Sequence, residues 1–424
     1  MKKKISCVIL FIICIILMLS CFIGNPSNNI ENRTMATFSM VLNPSEQSIT
    51  YNESALERFE AAMKDQCILR NIFIRCYLMI DNILSRALIN IKMFNHPAEQ
   101  KQYQYTNIGN YIRIQDTDYI CSPPQLEDLE EKNILNRIKQ IEKIHEKNPE
   151  IKMYVYYVSQ ANDTNWFDNF LGVKVPDRYE QIKALLPAYI KSAALEYDDL
   201  TDYEHCHYAS DHHWNHFGAQ RGYEDIYEMM RGDLSLSKVK IPEREIEFSK
   251  LYNFYYRGSY AYTLGDVYNG YDDFAVFQYN LPICEQYVIN DDTLKEKPVY
   301  ELGQWQEYVN NEINKEKYFD HFINFYGVAK SKDNIFHDND SLFIIKNKNP
   351  ESNHNLIIFG ESYNRALRDV LSSHFNMTVY MDYRMASKVA MDELIEKYNI
   401  DTLLISCGCD LWISDDYFFK FTKE

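Results

Sequence analysis

The segment "NLIIFGESYNRALRDVLSSHFNMTVYMDYRMASKVAMDELIEKYNIDTLLISCG", Asn355 to Gly408, alternates short apolar runs with amphipathic stretches. The runs LIIFG, MTVYM and DTLLISCG have the length and composition of buried strands. Strands that alternate with short helices are typical of a parallel sheet covered by helices. Another apolar run, Ile151 to Ser159, follows an amphipathic stretch in the same way. The sequence therefore predicts an α/β fold with a mostly parallel sheet.

Ser362 follows the first of these strands directly, in the tetrapeptide GESY. Ligand sites of parallel sheets lie beyond the carboxyl ends of the strands, and a helix N-terminus there can stabilise a negatively charged oxygen. Gly360 would permit a tight exit from the strand. We interpret Ser362 as a candidate nucleophile; the alternative is that it only caps the following helix.

A candidate general base lies in "YASDHHWNHFGAQRGYEDIY", Tyr208 to Tyr227. Asp211 and His213 are two residues apart, so in an extended segment both side chains project to the same side. A carboxylate beside an imidazole fixes its tautomer and stabilises the imidazolium formed when the histidine takes a proton. Ser362, His213 and Asp211 are therefore a candidate catalytic triad.

The same segment also permits a metal-site interpretation, since it holds five imidazoles: His205, His207, His212, His213 and His216. Zinc sites do use clustered histidines. The spacing of these five, however, fits no familiar ligand pattern. We expect no metal and no other cofactor, and a third interpretation, an inert surface turn, stays open.

The N-terminus predicts export from the cytoplasm. Three lysines precede an uncharged apolar run, Ile5 to Gly24, whose twenty residues can span a hydrocarbon layer of roughly 30 Å as a helix. We expect residues 1–24 to be an uncleaved signal anchor, with a lipoprotein cleavage site before Cys21 as the alternative. The lysines would stay inside the cell, which leaves a single-pass membrane protein with an extracytoplasmic domain.

The rest of the chain divides into regions that differ in composition and periodicity. Residues 25–54 are polar and predict a stalk. We expect 55–424 to form the main domain, in which the irregular stretch at about 233–350 would be an inserted, cap-like region.

Composition narrows the class of function. The net charge of -17 argues against nucleic-acid binding, which depends on clustered Lys and Arg. The chain has 34 tyrosines and 23 phenylalanines, which suit either a carbohydrate-facing surface or a core.

"SDHHW", followed by "FGA", resembles the DHHW-type family of extracytoplasmic proteins, which is related to the alginate O-acetyltransferases and has an SGNH/GDSL-hydrolase-like fold. Less specific fragments resemble the family in the same order along the chain. They are ENR at Glu31, DQCILRN at Asp65, GSY at Gly258, KYFDHF at Lys317 and DYR at Asp382. The resemblance implies an SGNH-like three-layer α/β/α sandwich.

The resemblance also implies roles for individual residues. Ser362 would accept an acyl group, His213 would be its base and Asp211 would orient His213. Arg384 matches an arginine of the family's site, with an ion pair to Asp382 as the alternative.

Further candidates for substrate binding or for an oxyanion hole are Trp214, Tyr363, Gln160 and Asn162. For Trp214 the alternative is core packing. The sequence has no clear match to the block that supplies oxyanion-hole groups in the family, and Gln160 and Asn162 are the nearest substitutes. The chain also departs from the family pattern at Glu361, where the family has Asp, and at Asn215 and Ser210, which flank the DHHW motif.

These expectations combine into a membrane-anchored serine acyltransferase or esterase. It would acetylate or deacetylate a cell-wall or exported polysaccharide through an acetyl-Ser362 intermediate. Transfer would require a membrane-bound partner that delivers the acetyl group, because cytosolic acetyl-CoA is out of reach. The alternatives are an inactive envelope protein that binds polysaccharide or acts as a scaffold, and a histidine-cluster metal protein.

Overall fold

The computed structural model describes most of the chain between residues 55 and 413. The described residues are 37–38, 55–66, 70–95, 105–108, 110–114, 117–124, 126–163, 174–247, 249–250, 255–264, 268, 270–282, 284–289, 294–301, 342–384 and 389–413. The predicted signal anchor at 1–24, the stalk at 25–54 apart from Thr37 and Phe38, and the KYFDHF fragment lie outside these ranges. Within them, no helix has both the length and the apolar character that crossing a membrane requires.

Helices and strands alternate along much of the chain. The helices are α1 (Ala55–Asp65), α2 (Arg70–Asn95), α3 (Glu131–Lys147), α4 (Arg178–Lys183), α5 (Leu200–Cys206), α6 (His216–Leu234), α7 (Ser259–Leu264), α8 (Arg368–Ser372), α9 (Met391–Tyr398) and α10 (Asp410–Ile413). The first strands are β1 (Tyr105–Ile108), β2 (Tyr111–Ile114), β3 (Ile120–Cys121), β4 (Lys152–Tyr157), β5 (Ile190–Ala194), β6 (Arg244–Glu247), β7 (Tyr255–Tyr256) and β8 (Asp272–Asp273). They are followed by β9 (Ala275–Gln278), β10 (Cys284–Ile289), β11 (Glu296–Glu301), β12 (Leu342–Asn347), β13 (Asn355–Gly360), β14 (Met377–Asp382) and β15 (Thr402–Cys407).

Two compact units divide the chain: residues 1–120 with 257–271, and residues 121–256 with 272–424. The first unit contains α1, α2, α7 and the antiparallel pair β1–β2. Its apolar cluster joins Leu78 of α2 to Ile108 and to Tyr260 and Leu264 of α7. The second unit contains the main sheet and every residue of the candidate site.

The main sheet has eight strands in the order β11-β10-β12-β14-β13-β15-β4-β5. The five strands from β14 to β5 are parallel, and they include all four apolar runs from which the fold was predicted. The sheet is nevertheless mixed, because β12, β10 and β11 extend it with antiparallel pairings. The prediction of an α/β fold is confirmed, and the sheet is less uniformly parallel than expected.

Three strands from the stretch 233–350, namely β10, β11 and β12, belong to the main sheet. β11 forms one edge of that sheet, and β10 and β12 lie between it and the parallel strands. These strands mix aromatic, polar and apolar residues, so their sequence shows no clear strand pattern.

Helices lie on both faces of the parallel strands. On one face, α3 and α9 pack through side chains such as Ile138 and Leu394 against Ile357 and Leu403 of the sheet. On the other face, Tyr156 of β4 donates a hydrogen bond to Asp225 of α6 (2.9 Å). Because β13, β15 and β4 run parallel, their carboxyl ends meet at the same edge, where the candidate site lies.

Candidate active site

Ser362 is the first residue of a short 3-10 segment, Ser362–Arg365, that follows β13. The chain must turn tightly there, because a Cβ atom on Gly360 would lie 2.2 Å from Asn364 Nδ2 and 2.3 Å from the Ser406 carbonyl oxygen. Asn364 uses that space to donate a hydrogen bond to the Ser406 carbonyl (2.7 Å). The glycine therefore allows the Ser362 turn to be tied to the neighbouring strand β15.

The DHHW segment forms a closed turn between α5 and α6. His207 and Trp214 pair in an antiparallel bridge, and the Tyr208 N–H donates to the His213 carbonyl (3.3 Å). At the exit, the Asn215 side chain caps α6 by accepting hydrogen bonds from the main-chain N–H groups of Phe217 (2.9 Å) and Gly218 (3.2 Å). Asparagine is among the residues that cap a helix N-terminus best, so Asn215 is an effective cap although it departs from the family pattern.

Ser362, His213 and Asp211 form a continuous series of hydrogen bonds. His213 Nε2 lies 2.7 Å from Ser362 Oγ, and His213 Nδ1 lies 3.0 Å from Asp211 Oδ2. An ionised carboxylate can only accept, so Nδ1 carries the proton and Nε2 is left to accept from the serine hydroxyl. The structure thus brings together, across 149 residues of chain, the three side chains that were predicted to form the triad.

Asp211 is buried and held from several sides. Its Oδ1 accepts the main-chain N–H of His212 (2.8 Å), and its Oδ2 accepts the hydroxyl of Tyr256. Burial alone would raise the pKa of Asp211, but the neighbouring His213 and His212 hold that pKa well below its usual value. The group therefore stays a carboxylate.

The Tyr256 contact was not foreseen from the sequence. Tyr256 lies in the two-residue strand β7, and no local pattern distinguishes it from the other 33 tyrosines. Only the pairing of β7 with β8 brings it to Asp211.

His213 is neutral at physiological pH. Burial, together with the adjacent His212, lowers its pKa to about 4, although Asp211 acts in the opposite direction. A neutral imidazole whose Nε2 faces a hydroxyl is in the protonation state that a general base requires.

Hydrogen bonds of Tyr363 and Trp214 connect the Ser362 turn to the DHHW turn. The Trp214 indole donates to the Tyr363 carbonyl (3.1 Å), and the Tyr363 hydroxyl donates to the His212 carbonyl (3.0 Å). Trp214 is 3% exposed, and Gly222 leaves room for its ring, since a Cβ there would lie 2.8 Å from the indole. Trp214 thus packs in the core, as in the alternative considered for it, although it also contributes to the wall of the pocket beside the triad.

Gln160 reaches the same cluster and donates a hydrogen bond from Nε2 to the Tyr363 hydroxyl (2.7 Å). Asn162 is buried in the 3-10 turn Ala161–Asp163 that follows β4. Both residues therefore lie at the carboxyl edge of the sheet, where Gln160 is hydrogen-bonded to Tyr363.

Arg384 forms a two-pronged ion pair with the buried Asp382, with Nε to Oδ1 at 3.0 Å and a terminal nitrogen to Oδ2 at 2.8 Å. This is the ion pair that was considered as the alternative. The guanidinium still influences the site, because its charge contributes to the low pKa of His213. Glu361 is buried and accepts the hydroxyl of Tyr383 (2.6 Å).

The histidines of the segment do not form one cluster. His207 bonds to the hydroxyl of Tyr197, and His216 Nε2 lies 2.9 Å from Glu245. Asp211, His212 and His213 do place ligand atoms within 4.8 Å of one another. Both nitrogens of His213 are, however, directed at Asp211 and Ser362, so binding a metal there would break one of those hydrogen bonds.

A pocket opens beside the triad, and its walls include Ser362, His213 and Tyr256. Most of the remaining wall comes from α6, from the residues around β9 and from the start of α8. A substrate bound in this pocket would meet the serine hydroxyl directly.

Comparison with protein-family models and with curated proteins gives no match. Among solved structures, PatB1 of Bacillus cereus is similar with a TM-score of 0.54 and 17% identity, over 72% of this chain and 98% of PatB1. A second structure of PatB1, with a sulfonyl adduct, gives 0.53 and 16%, over 73% and 99%. A DHHW family protein from Eubacterium siraeum gives 0.51 and 14%, over 74% and 95%. The chain thus has the fold of PatB1 and of a DHHW family protein, the family that its SDHHW motif resembles.

Proposed function

We propose that this chain is a serine acyltransferase or carbohydrate esterase in which Ser362 becomes acylated. The observation that carries the proposal is the hydrogen-bonded series from Ser362 through His213 to Asp211 in the wall of a pocket. Neither the short segment Ser362–Arg365 nor the strand order of the sheet by itself requires these three side chains to be in contact.

In the first half-reaction, Ser362 Oγ attacks the carbonyl carbon of an ester while its proton passes to His213 Nε2. Asp211 stabilises the resulting imidazolium through Nδ1. Collapse of the tetrahedral intermediate breaks the ester bond, and the departing alkoxide takes the proton back from Nε2. An alcohol leaves, and the acyl group remains on Ser362.

In the second half-reaction, His213 Nε2 removes the proton of an incoming hydroxyl, which attacks the acyl-serine carbonyl. The Ser362 oxygen then leaves and recovers the proton from His213. If the attacking group is a sugar hydroxyl, the product is a new ester; if it is water, the product is a free acid.

We assign the acceptor to the hydroxyl groups of a cell-wall or exported polysaccharide, with acetyl as the simplest acyl group. The resemblance of the DHHW segment supports this assignment. The apolar run of residues 5–24 supports a membrane-anchored protein whose main domain is extracytoplasmic. Such a location calls for a membrane-bound partner that supplies the acyl group.

The test is ester hydrolysis by the full-length protein in detergent, with p-nitrophenyl acetate as substrate and Ser362→Ala as the matched variant. The proposal expects release of p-nitrophenol that falls at least a thousandfold in the variant. Equal rates for the two proteins would leave the alternative of a non-catalytic envelope protein. Activity that disappears with a chelator and survives Ser362→Ala would instead favour a metal at Asp211, His212 and His213.

A further inference from the structure

The wall of the pocket beside Ser362 and His213 is predominantly apolar. Its apolar side chains include Ala219 of α6, Phe274, Val276 and Phe277 around β9, Leu281, and Val370 of α8. Phe274 and Val276 are almost completely buried, so they form the fixed inner wall. Hydrocarbon that enters such a pocket leaves water without losing hydrogen bonds.

Four polar side chains that line the pocket pair with other protein groups, although His216 Nδ1 has no hydrogen-bond partner among the described residues. Asn215 caps α6, His216 lies 2.9 Å from Glu245, and Asp369 pairs with Arg368 at 3.3 Å. Gln220 donates to Glu224 and accepts the hydroxyl of Tyr279. An alkyl chain that enters the pocket would displace none of these pairings.

We propose that this pocket binds the acyl chain of the ester, and that it selects a chain longer than acetyl. The inference rests on the proposed function, because it assumes that Ser362 attacks the ester carbonyl. The carbonyl carbon then lies at Ser362 Oγ and the chain extends along Val276 and Phe277. Each methylene that becomes buried raises kcat/KM about fourfold, if its transfer free energy is expressed in the transition state.

The experiment compares p-nitrophenyl acetate, butyrate and hexanoate with the full-length protein. The expected result is a rise in kcat/KM with chain length, with hexanoate at least tenfold above acetate. Hydrolysis of acetate that depends on Ser362 but declines with each added carbon would overturn the inference and leave the proposed function intact. Hydrolysis that is equal in Ser362→Ala would sink the proposed function itself.

Substitutions of Val276 test the position of the chain. In Val276→Phe the larger ring occupies the pocket, and the ratio of hexanoate to acetate kcat/KM should fall at least tenfold. Val276→Ala enlarges the pocket and should move the preferred chain length upward by one or two carbons.

Glu228→Ala is the control, because Glu228 is exposed and lies nine residues, or half a rotation, from Ala219 on α6. Its ratio should match the wild type. If Val276→Phe does not fold, Val276→Ala decides, and an unchanged chain-length preference in that variant would contradict the proposal.

Discussion

Replacing Asp211 with Asn tests the electrostatic logic of the site. Asp211 Oδ2 accepts the Nδ1 proton of His213 at 3.0 Å, which leaves Nε2 to accept from Ser362. An asparagine amide can donate to Nδ1 instead and so favour the tautomer that carries its proton on Nε2. His213 could then no longer accept the serine proton at 2.7 Å.

The expected loss of kcat/KM follows from the structure that the substitution leaves in place. Asn is almost isosteric with Asp, and its oxygen can still accept the main-chain N–H of His212, so the turn should keep its shape. The nitrogen that replaces Oδ2 no longer accepts the hydroxyl of Tyr256. Loss of the correct tautomer lowers kcat by about 10⁴ in a serine triad of known behaviour, or about 5.4 kcal/mol of transition-state stabilisation. We therefore expect kcat/KM for the ester to fall by about three to four orders of magnitude.

The assay is p-nitrophenyl acetate hydrolysis by the full-length wild type and by Asp211→Asn, with thermal unfolding recorded for both. The melting temperatures should differ by only a few degrees. A variant that folds and keeps more than a tenth of wild-type kcat/KM would refute the proposal that Asp211 sets the tautomer of His213.

Three further predictions follow from the same contacts. Tyr256→Phe removes a donor to Asp211 and should lower kcat/KM roughly tenfold with little change in melting temperature; an unchanged rate would show that the contact is dispensable. The base must be neutral, so kcat/KM should stay level as the pH falls from 8 to about 5 and then drop with an apparent pKa of about 4, the value to which burial lowers His213; a midpoint near 6.5 would contradict this. Gly360→Ala places a Cβ 2.2 Å from Asn364 Nδ2 and should cost about 1–3 kcal/mol of unfolding free energy, visible in denaturant titration, whereas unaltered stability would mean that the turn relaxes freely.

Four of the five parallel strands were predictable because each is a largely apolar run that is buried on both faces; β5 differs, since its Lys191 is exposed and most of its other residues are only partly buried. Leu356, Ile357, Ile358 and Phe359 are all fully buried, and nothing in that run requires tertiary information to be recognised. The strands β10 and β12 differ, since they contain polar residues such as Gln286 and Lys346 and pair antiparallel over a long chain separation. Their membership of the sheet depends on partners that no local pattern reveals.

The candidate triad divides in the same way. The pairing of Asp211 with His213 could be predicted from their spacing. The candidate role of Ser362 could be predicted from its position directly after a strand. Tyr256 could not be anticipated, because it reaches Asp211 from a two-residue strand in a stretch without periodicity. The role of Trp214 depended on the glycine at position 222 of α6, whose importance is visible only once the indole is placed against it.

The central claim is that Ser362 is a nucleophile activated by His213. It is tested most directly by incubating the full-length protein with phenylmethylsulfonyl fluoride and locating any adduct by intact-mass measurement and peptide mapping. The account predicts one sulfonyl group per chain, on Ser362, and no modification of Ser362→Ala. An unmodified wild-type protein, or an adduct that forms equally in Ser362→Ala, would contradict it.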